Sequence, residues 1–253
     1  MKVWTDYFSG VMASFWTLLL KEIIRLEENP DEILRLLVKP NGEVLMPGFA
    51  GFIVEQVKGK KPGKPLSQHL AEWKLFYKKF FCHDLDVDSI QIHNRPEGFD
   101  RLIVVAKGFT LTQIYNVMAR HFDCWRYDEK KDLDNLITRN DRDANKTGTY
   151  GIWLRDRQEA DEENAGKSAD QLQAEKHLGI TLGERMLYEL KFWDETGCHL
   201  DMDNLTLCAG SRNVDVDVPF MYFRSGGGEV CVYYCCSDFA LPRWRTRSAG
   251  SSS

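Results

Sequence analysis

The sequence predicts an α+β fold, a mixed or antiparallel sheet with packed helices, preceded by a helical N-terminal segment. Three observations lead there. Capping boxes open apolar-periodic segments at Thr110/Gln113, Ser168/Gln171 and Thr181/Glu184, which places helices. Runs of β-branched and aromatic residues crowd the C-terminal third, which places strands. The two kinds of run do not alternate strictly, which argues against a doubly wound parallel sheet.

Taken in order, residues 6–28 read as a helix. Asn29 and Pro30 then supply a cap and a first-turn proline for a short helix through Ile33, Leu34, Leu36 and Leu37, stopped by Pro40-Asn41-Gly42. Residues 44–57 read as one or two short strands broken by glycine and proline. Residues 58–65 (KGKKPGKP) can bury nothing and read as a linker. Beyond it, Ser67 is the expected cap of a helix with Leu70, Trp73, Tyr77 and Phe80 on one face. Residues 89–93 and 100–106 (DRLIVVA) read as strands, the second apolar throughout and therefore central. The Thr110 box opens a helix carrying Leu111, Ile114, Val117, Met118 and Phe122, and residues 150–154 form another strand. Residues 155–163 (RDRQEADEE) read as a solvated helix face with Arg155–Glu159 and Arg157–Asp161 pairs. Residues 182–196 form the clearest helix, with Leu182, Met186, Leu190 and Trp193 as its buried stripe and Gly197 as its stop. Strands follow at 205–208, 214–223 and 229–236, the last two joined by Ser225-Gly226-Gly227-Gly228 as a hairpin. The expected organisation is thus an N-terminal segment (1–57), the linker (58–65), an α+β domain (66–242) and a flexible basic, serine-ended tail (243–253).

Composition excludes several classes. The 253 residues are 43% hydrophobic and 28% charged, with a net charge of −5, so neither a disordered tail protein nor a basic packaging protein is indicated. The longest apolar run, residues 11–20, is too short to span a bilayer, and no cleavage site follows it. A cytoplasmic protein with no membrane association is the expectation. The seven cysteines include no CxxC pair and read as reduced, buried thiols. P-loop, nucleophile-elbow, HExxH and EF-hand signatures are absent, so the commonest nucleotide, hydrolase and zinc-protease readings drop out.

Two clusters of residues could carry chemistry. His199, Asp201 and Asp203 alternate, and Asp215 and Asp217 form a second acidic pair. On straight strands His199 and Asp203 would lie ~13 Å apart, too far for one cation. If strands 205–208 and 214–223 pair, however, the two acidic pairs could share a divalent metal that activates water. The simpler reading makes Asp203-Asn204 a turn and the second pair solvent-facing. The other cluster is basic. Lys58, Lys60, Lys61 and Lys64 in the linker, with Arg243, Trp244, Arg245 and Arg247 in the tail, could meet phosphates and stack on a base.

Between residues 98 and 212 the wording is distinctive: GFDRLIVVAKGFTLTQIY from Gly98, CWRY from Cys124, NDRD from Asn140, YGIWLRDRQEADEE from Tyr150, and GITLGERMLYELKFWDETG from Gly179 with the later LTLCAGSR. This stretch resembles a family of uncharacterised, hypothetical bacterial proteins. The resemblance implies a bacterial, cytoplasmic protein and brings no activity, cofactor or catalytic residue.

Three functions stay open. The first is a non-catalytic binding or interaction module with a protein partner, the second a nucleic-acid-associated protein, and the third a metal-dependent hydrolase built on the aspartates. No cofactor is expected, a divalent metal being the one candidate.

Overall fold

The computed structural model describes residues 64–250, so the expected N-terminal segment and the linker up to residue 63 lie outside the described residues. Helix α1 (Leu66–Phe81) starts directly after Pro65, whose extended backbone ends the incoming chain, so Ser67 sits inside the first turn instead of capping it. Trp73, Phe76, Tyr77 and Phe80 recur at helical spacing and bury one face of α1.

That face decides the first sheet. Strands β1 (Gln91–Ile92), β2 (Arg101–Val105) and β5 (Tyr150–Leu154) assemble in the order β1-β5-β2, so β2 is an edge strand, not the central one its apolar run suggests. Its outer edge is finished by side chains. Trp73 Nε1 donates to the Leu102 carbonyl (2.9 Å), and Tyr77 Oη donates to the Val104 carbonyl (2.9 Å) while accepting from the Ala106 amide (3.0 Å). The geometry matches because residues four apart on a helix have Cβ atoms about 5–6 Å apart. Alternate carbonyls on a strand lie ~6.6 Å apart. Helix α1 thereby replaces a missing strand, and β2 can be apolar on both sides. Tyr77→Phe keeps the ring and strands a buried carbonyl and amide. It is expected to lower unfolding free energy by about 1–3 kcal/mol in urea titration, and a change below ~0.5 kcal/mol would refute the edge-sealing role.

Helix α2 (Leu111–Met118) opens with the expected Thr110/Gln113 box, and the Asp134 carboxylate accepts from its Leu111 and Thr112 amides. Strand β3 (Cys124–Arg126), the single turn α3 (Leu133–Leu136), β4 (Ile137–Asn140) and the single turn α4 (Ala144–Thr147) lead to β5. Residues 155–161 are a loop, not a helix. Its arginines reach six residues ahead, Arg155 to Asp161 (2.7 Å) and Arg157 to Glu163 (2.8 Å), a span no helix face offers. Helix α5 (Ala169–Ala174) carries the Ser168/Gln171 box. Helix α6 (Leu182–Thr196) carries the Thr181/Glu184 box and stops at Gly197, which takes the left-handed conformation at φ 71°. The expected stripe understates its burial: every residue from Leu182 to Phe192 is buried, including Glu184, Arg185, Glu189 and Lys191. Helix α6 is the central strut of the domain.

The larger sheet has the order β10-β6-β8-β9-β3. Strand β6 (Leu205–Leu207) pairs antiparallel with β8 (Val218–Arg224), which forms the expected hairpin with β9 (Glu229–Cys235). The strand expected over 214–223 starts only at Val218. Ser211–Asn213 forms β7 against β4, and residues 214–217 form a turn before β8. Asn213 makes the turn, its side-chain oxygen accepting from the Asp215 (2.9 Å) and Asp217 (2.7 Å) amides. Val216 adopts φ 68°, and both Val214 and Val216 are exposed, so the valine alternation does not mark a buried face.

The expected tail is also built in. Trp244–Arg245 forms β10, parallel to β6, and Thr246 to Ala249 are buried. Arg247 and Ala249 exchange backbone hydrogen bonds with the Leu178–Ile180 segment, and the Gly250 amide donates to the Trp153 carbonyl of β5. Residues 244–250 therefore join the two larger sheets across the entry to α6.

Candidate functional site

The aspartates of the predicted metal site fall into two separate places. The Asp201 carbonyl accepts from the Phe223 amide near one end of β8, whereas Asp217 immediately precedes the other end. At ~3.3 Å per residue the intervening strand holds the pairs about 20 Å apart, so they cannot share a cation. Asp203 is exposed in the turn before β6, with its carbonyl accepting from Arg243, and Asp215 is exposed in the β7–β8 turn. Among the described residues, no group of three or more histidine, cysteine or acidic side chains is arranged to hold a metal ion.

Asp201 belongs instead to a buried ionic network at the centre of the domain. One carboxylate oxygen accepts from Arg185 (Nη2, 2.7 Å; Nε, 3.1 Å) and from the Thr206 hydroxyl, and the other accepts from Arg247 (2.7 Å). Arg185 also donates to Glu189 (2.7 Å), whose second oxygen lies 2.9 Å from His199 Nδ1. Arg247 completes its fork on the Arg157 (2.8 Å) and Gln158 (2.7 Å) carbonyls and lies over the Tyr188 ring. Arg185, Glu189 and Asp201 are fully buried and Arg247 nearly so. Two guanidinium groups face two carboxylates, and the remaining donors of Arg247 meet two carbonyls and the Thr206 hydroxyl, which is how charges survive in a core. Burial opposes ionisation of Asp201, but Arg247 and Arg185 outweigh it and hold the carboxyl below its ordinary value. A cation here would have to displace two arginines. The network supports the fold.

A second buried carboxylate closes the other side of α6. Glu184, the capping-box residue, accepts from Arg142 twice (2.6 and 2.7 Å), from Tyr150 Oη (2.9 Å) and from the Thr181 amide (2.7 Å). It lines a cavity of about 320 Å³ with Phe109, Ile114, Asn140 and Lys146. Arg142 comes from the NDRD stretch, so that stretch anchors α6 as well as making a turn. Cys208 is fully buried, and burial pushes its thiol well above the ordinary range.

The basic candidates also disperse. Lys58, Lys60 and Lys61 lie outside the described residues, and Lys64 is paired with Glu72 (2.8 Å). Arg247 is spent on Asp201, and Arg245 reaches towards the Ala160 carbonyl. Arg243 is exposed, and Trp244 packs on Phe220 with ring centroids 4.8 Å apart.

That Trp244 contact leads to a surface the sequence does not announce. Register places Phe220 and Tyr222 of β8, Tyr233 of β9 and Trp125 of β3 on one sheet face, while Met221, Phe223, Val230 and Val232 face the core. Phe220, Tyr222 and Tyr233 lie nearly parallel, with interplanar angles of 12–24° and centroids 5.7–6.3 Å apart. Trp125 follows at 4.6 Å from Tyr233, and Tyr127 is 67% exposed at the end of the row. Among the described residues, α5 covers this face where it packs on Leu207 and Val218. A groove of about 530 Å³ runs beside the row, lined by Leu205, Phe220, Tyr222, Leu241, Arg243 and Trp244. The one available signal was the spacing of Phe220 and Tyr222, masked because Met221 and Phe223 between them are apolar too.

Comparison with protein-family models, curated proteins and solved structures finds no match to this chain, so the geometry of the aromatic face and its groove is the ground for a functional reading.

Proposed function

We propose that the protein is a non-catalytic interaction module that docks a protein partner on the aromatic face of the five-stranded sheet. The observation that supports this reading is the row Phe220–Tyr222–Tyr233–Trp125–Tyr127 beside an apolar groove, on the face turned away from the main core. Interface centres concentrate Trp, Tyr and Arg, and burying such rings supplies most of the binding energy. The row has Arg243 at one end and Arg224 over Trp125 at the other.

A single-stranded nucleic acid is the second reading. The near-parallel rings favour it, since bases stack on such rings without sequence preference. The net charge of −5 and the pairing of Arg224 with Glu229 weigh against it, because phosphate binding draws on free cations.

One experiment separates the readings. Immobilised wild type and the Tyr222→Ala and Tyr233→Ala variants are offered lysate of the cells that make the protein, and labelled 12-mer RNA and DNA are titrated at low salt. The expected result is a partner protein held at least ~30-fold more weakly by the variants, the effect of losing a central aromatic anchor. Oligonucleotide binding lost in the same variants would shift the assignment to the second reading. Equal behaviour of all three proteins towards both ligands would overturn the aromatic face as a binding surface.

A further inference from the structure

Arg212 is buried in β7, with 7% of its surface exposed, yet it has no carboxylate partner among the described residues. The two other buried arginines, Arg185 and Arg247, both meet Asp201. The Arg212 stem is buried while the free edge of its guanidinium opens into a cavity, a place where a charge is normally met by a carboxylate. Its Nη1 donates to the Ala209 (2.7 Å) and Ser211 (2.8 Å) carbonyls. Its Nε and Nη2 have no hydrogen-bond acceptor among the described residues. These two nitrogens form the edge of the guanidinium that takes a carboxylate or phosphate with two parallel hydrogen bonds.

Arg212 lines a cavity of about 220 Å³ together with Arg139, Asp141, Gln173, Lys176 and His177. The backbone brings these elements close. A Cβ on Gly210 would sit 2.8 Å from the Gly179 carbonyl oxygen, so only glycine lets the β6–β7 turn press against the α5–α6 connection. That approach sets Lys176 and His177, which follow α5, beside Arg139 of β4 and Arg212 of β7. The lining holds three cations, Arg139, Lys176 and Arg212, against one carboxylate, Asp141, which lies 3.7 Å from Arg139, while Asp170 acts on Arg212 from α5 outside the lining. Burial, reinforced by Arg139, pulls the Arg212 guanidinium below its ordinary value, as a charge lacking its counter-ion should be.

We propose that this cavity binds a phosphate dianion, free or as a small phosphate monoester, through the Nε/Nη2 edge of Arg212 with Lys176 and Arg139 at its mouth. The lining's excess of two positive charges matches a phosphate monoester, which is mostly doubly charged at pH 7, better than the free ion, which is only about half so. A single carboxylate would leave half of that excess uncompensated. The volume is several times the ~30 Å³ share of one water, enough for a phosphate with a short attached body. This cavity shares no residue with the aromatic groove, so the two assignments stand or fall separately.

The test titrates inorganic phosphate, ribose 5-phosphate and ribose at constant ionic strength, read by thermal shift and by calorimetry. Wild type is expected to gain stability saturably with the first two and not with ribose. Tighter binding of ribose 5-phosphate assigns the ester, and tighter binding of inorganic phosphate assigns the free ion. Arg212→Lys and Lys176→Gln are each expected to weaken binding about 10-fold or more, the effect of one charge-assisted hydrogen bond. Should Arg212→Lys fail to fold, Lys176→Gln and Arg139→Gln, both at exposed positions, decide the question. Absence of saturable binding to wild type, or unchanged affinity in the folded variants, would overturn the site.

Discussion

Asp201→Asn is expected to cost about 3–5 kcal/mol of unfolding free energy, although the replacement has nearly the same shape. The side chain accepts from Arg185, Arg247 and Thr206, and the amide would leave two buried guanidinium groups sharing the single charge of Glu189. A domain of ordinary stability has about 5–15 kcal/mol in total, so the variant should stand near the edge of folding at room temperature. The partner variant Arg247→Met removes one guanidinium and should cost a similar amount by stranding half of the Asp201 carboxylate. The double variant Asp201→Asn/Arg247→Met should cost distinctly less than the sum, because the uncompensated charge is then gone. Urea titration of the four proteins measures this coupling. An Asp201→Asn cost below ~1 kcal/mol would show that the network is not holding the core.

This network and the separate Glu184–Arg142 pair set the acid limit. Burial opposes ionisation of both Asp201 and Glu184, but the arginines beside them hold each carboxyl below its ordinary value. The unfolded chain would titrate these groups near the usual ~3.9 and ~4.3. Their contribution is therefore complete above about pH 4–4.5 and is lost as pH falls through the lower folded values, where the unfolded state has already taken up the protons.

The sequence revealed local structure well and long-range partnership poorly. Capping boxes at Thr110, Ser168 and Thr181 and the glycine hairpin after Arg224 are short-range chemistry, and each one forms where expected. The apolar run of β2 was legible as buried but not as an edge, because what seals it comes from Trp73 and Tyr77, almost thirty residues earlier. The alternating valines before Pro219 looked like a strand, yet Asn213 turns the chain first, and a side-chain hydrogen bond to its own backbone leaves no periodic trace. Charge was misread for a related reason. Arg185, Glu189, Asp201 and Arg247 look like solvated residues one at a time, and become core residues only once α6, the turn before β6 and the C-terminal segment meet. The aromatic face was hidden in the same way, since parity alone cannot say which side of β8 faces the core.

Deleting residues 244–253 should abolish cooperative folding, although the basic, serine-ended wording of this stretch suggests a dispensable tail. Trp244 is 6% exposed against Ala169, Leu172, Leu207 and Val218, and removing such a ring costs about 3–5 kcal/mol. Losing Arg247 strands part of Asp201, for about 3–5 kcal/mol more. The Ser248 amide also leaves Asp161, and the Ile180 amide at the entry to α6 loses the Arg247 carbonyl. These losses share partners and are not additive, yet even the first two together match the whole stability of an ordinary domain. Arg243→Ala makes the control: the side chain is exposed and should shift stability by no more than ~0.5 kcal/mol. Far-UV and near-UV circular dichroism through a thermal melt separates the two views. If the truncated chain unfolds cooperatively within a few degrees of the full protein, residues 244–250 are an appendage. If near-UV signal and transition both vanish while Arg243→Ala melts normally, this strap is part of the core, because it supplies both one of the two counter-ions of Asp201 and the bridge between the sheets.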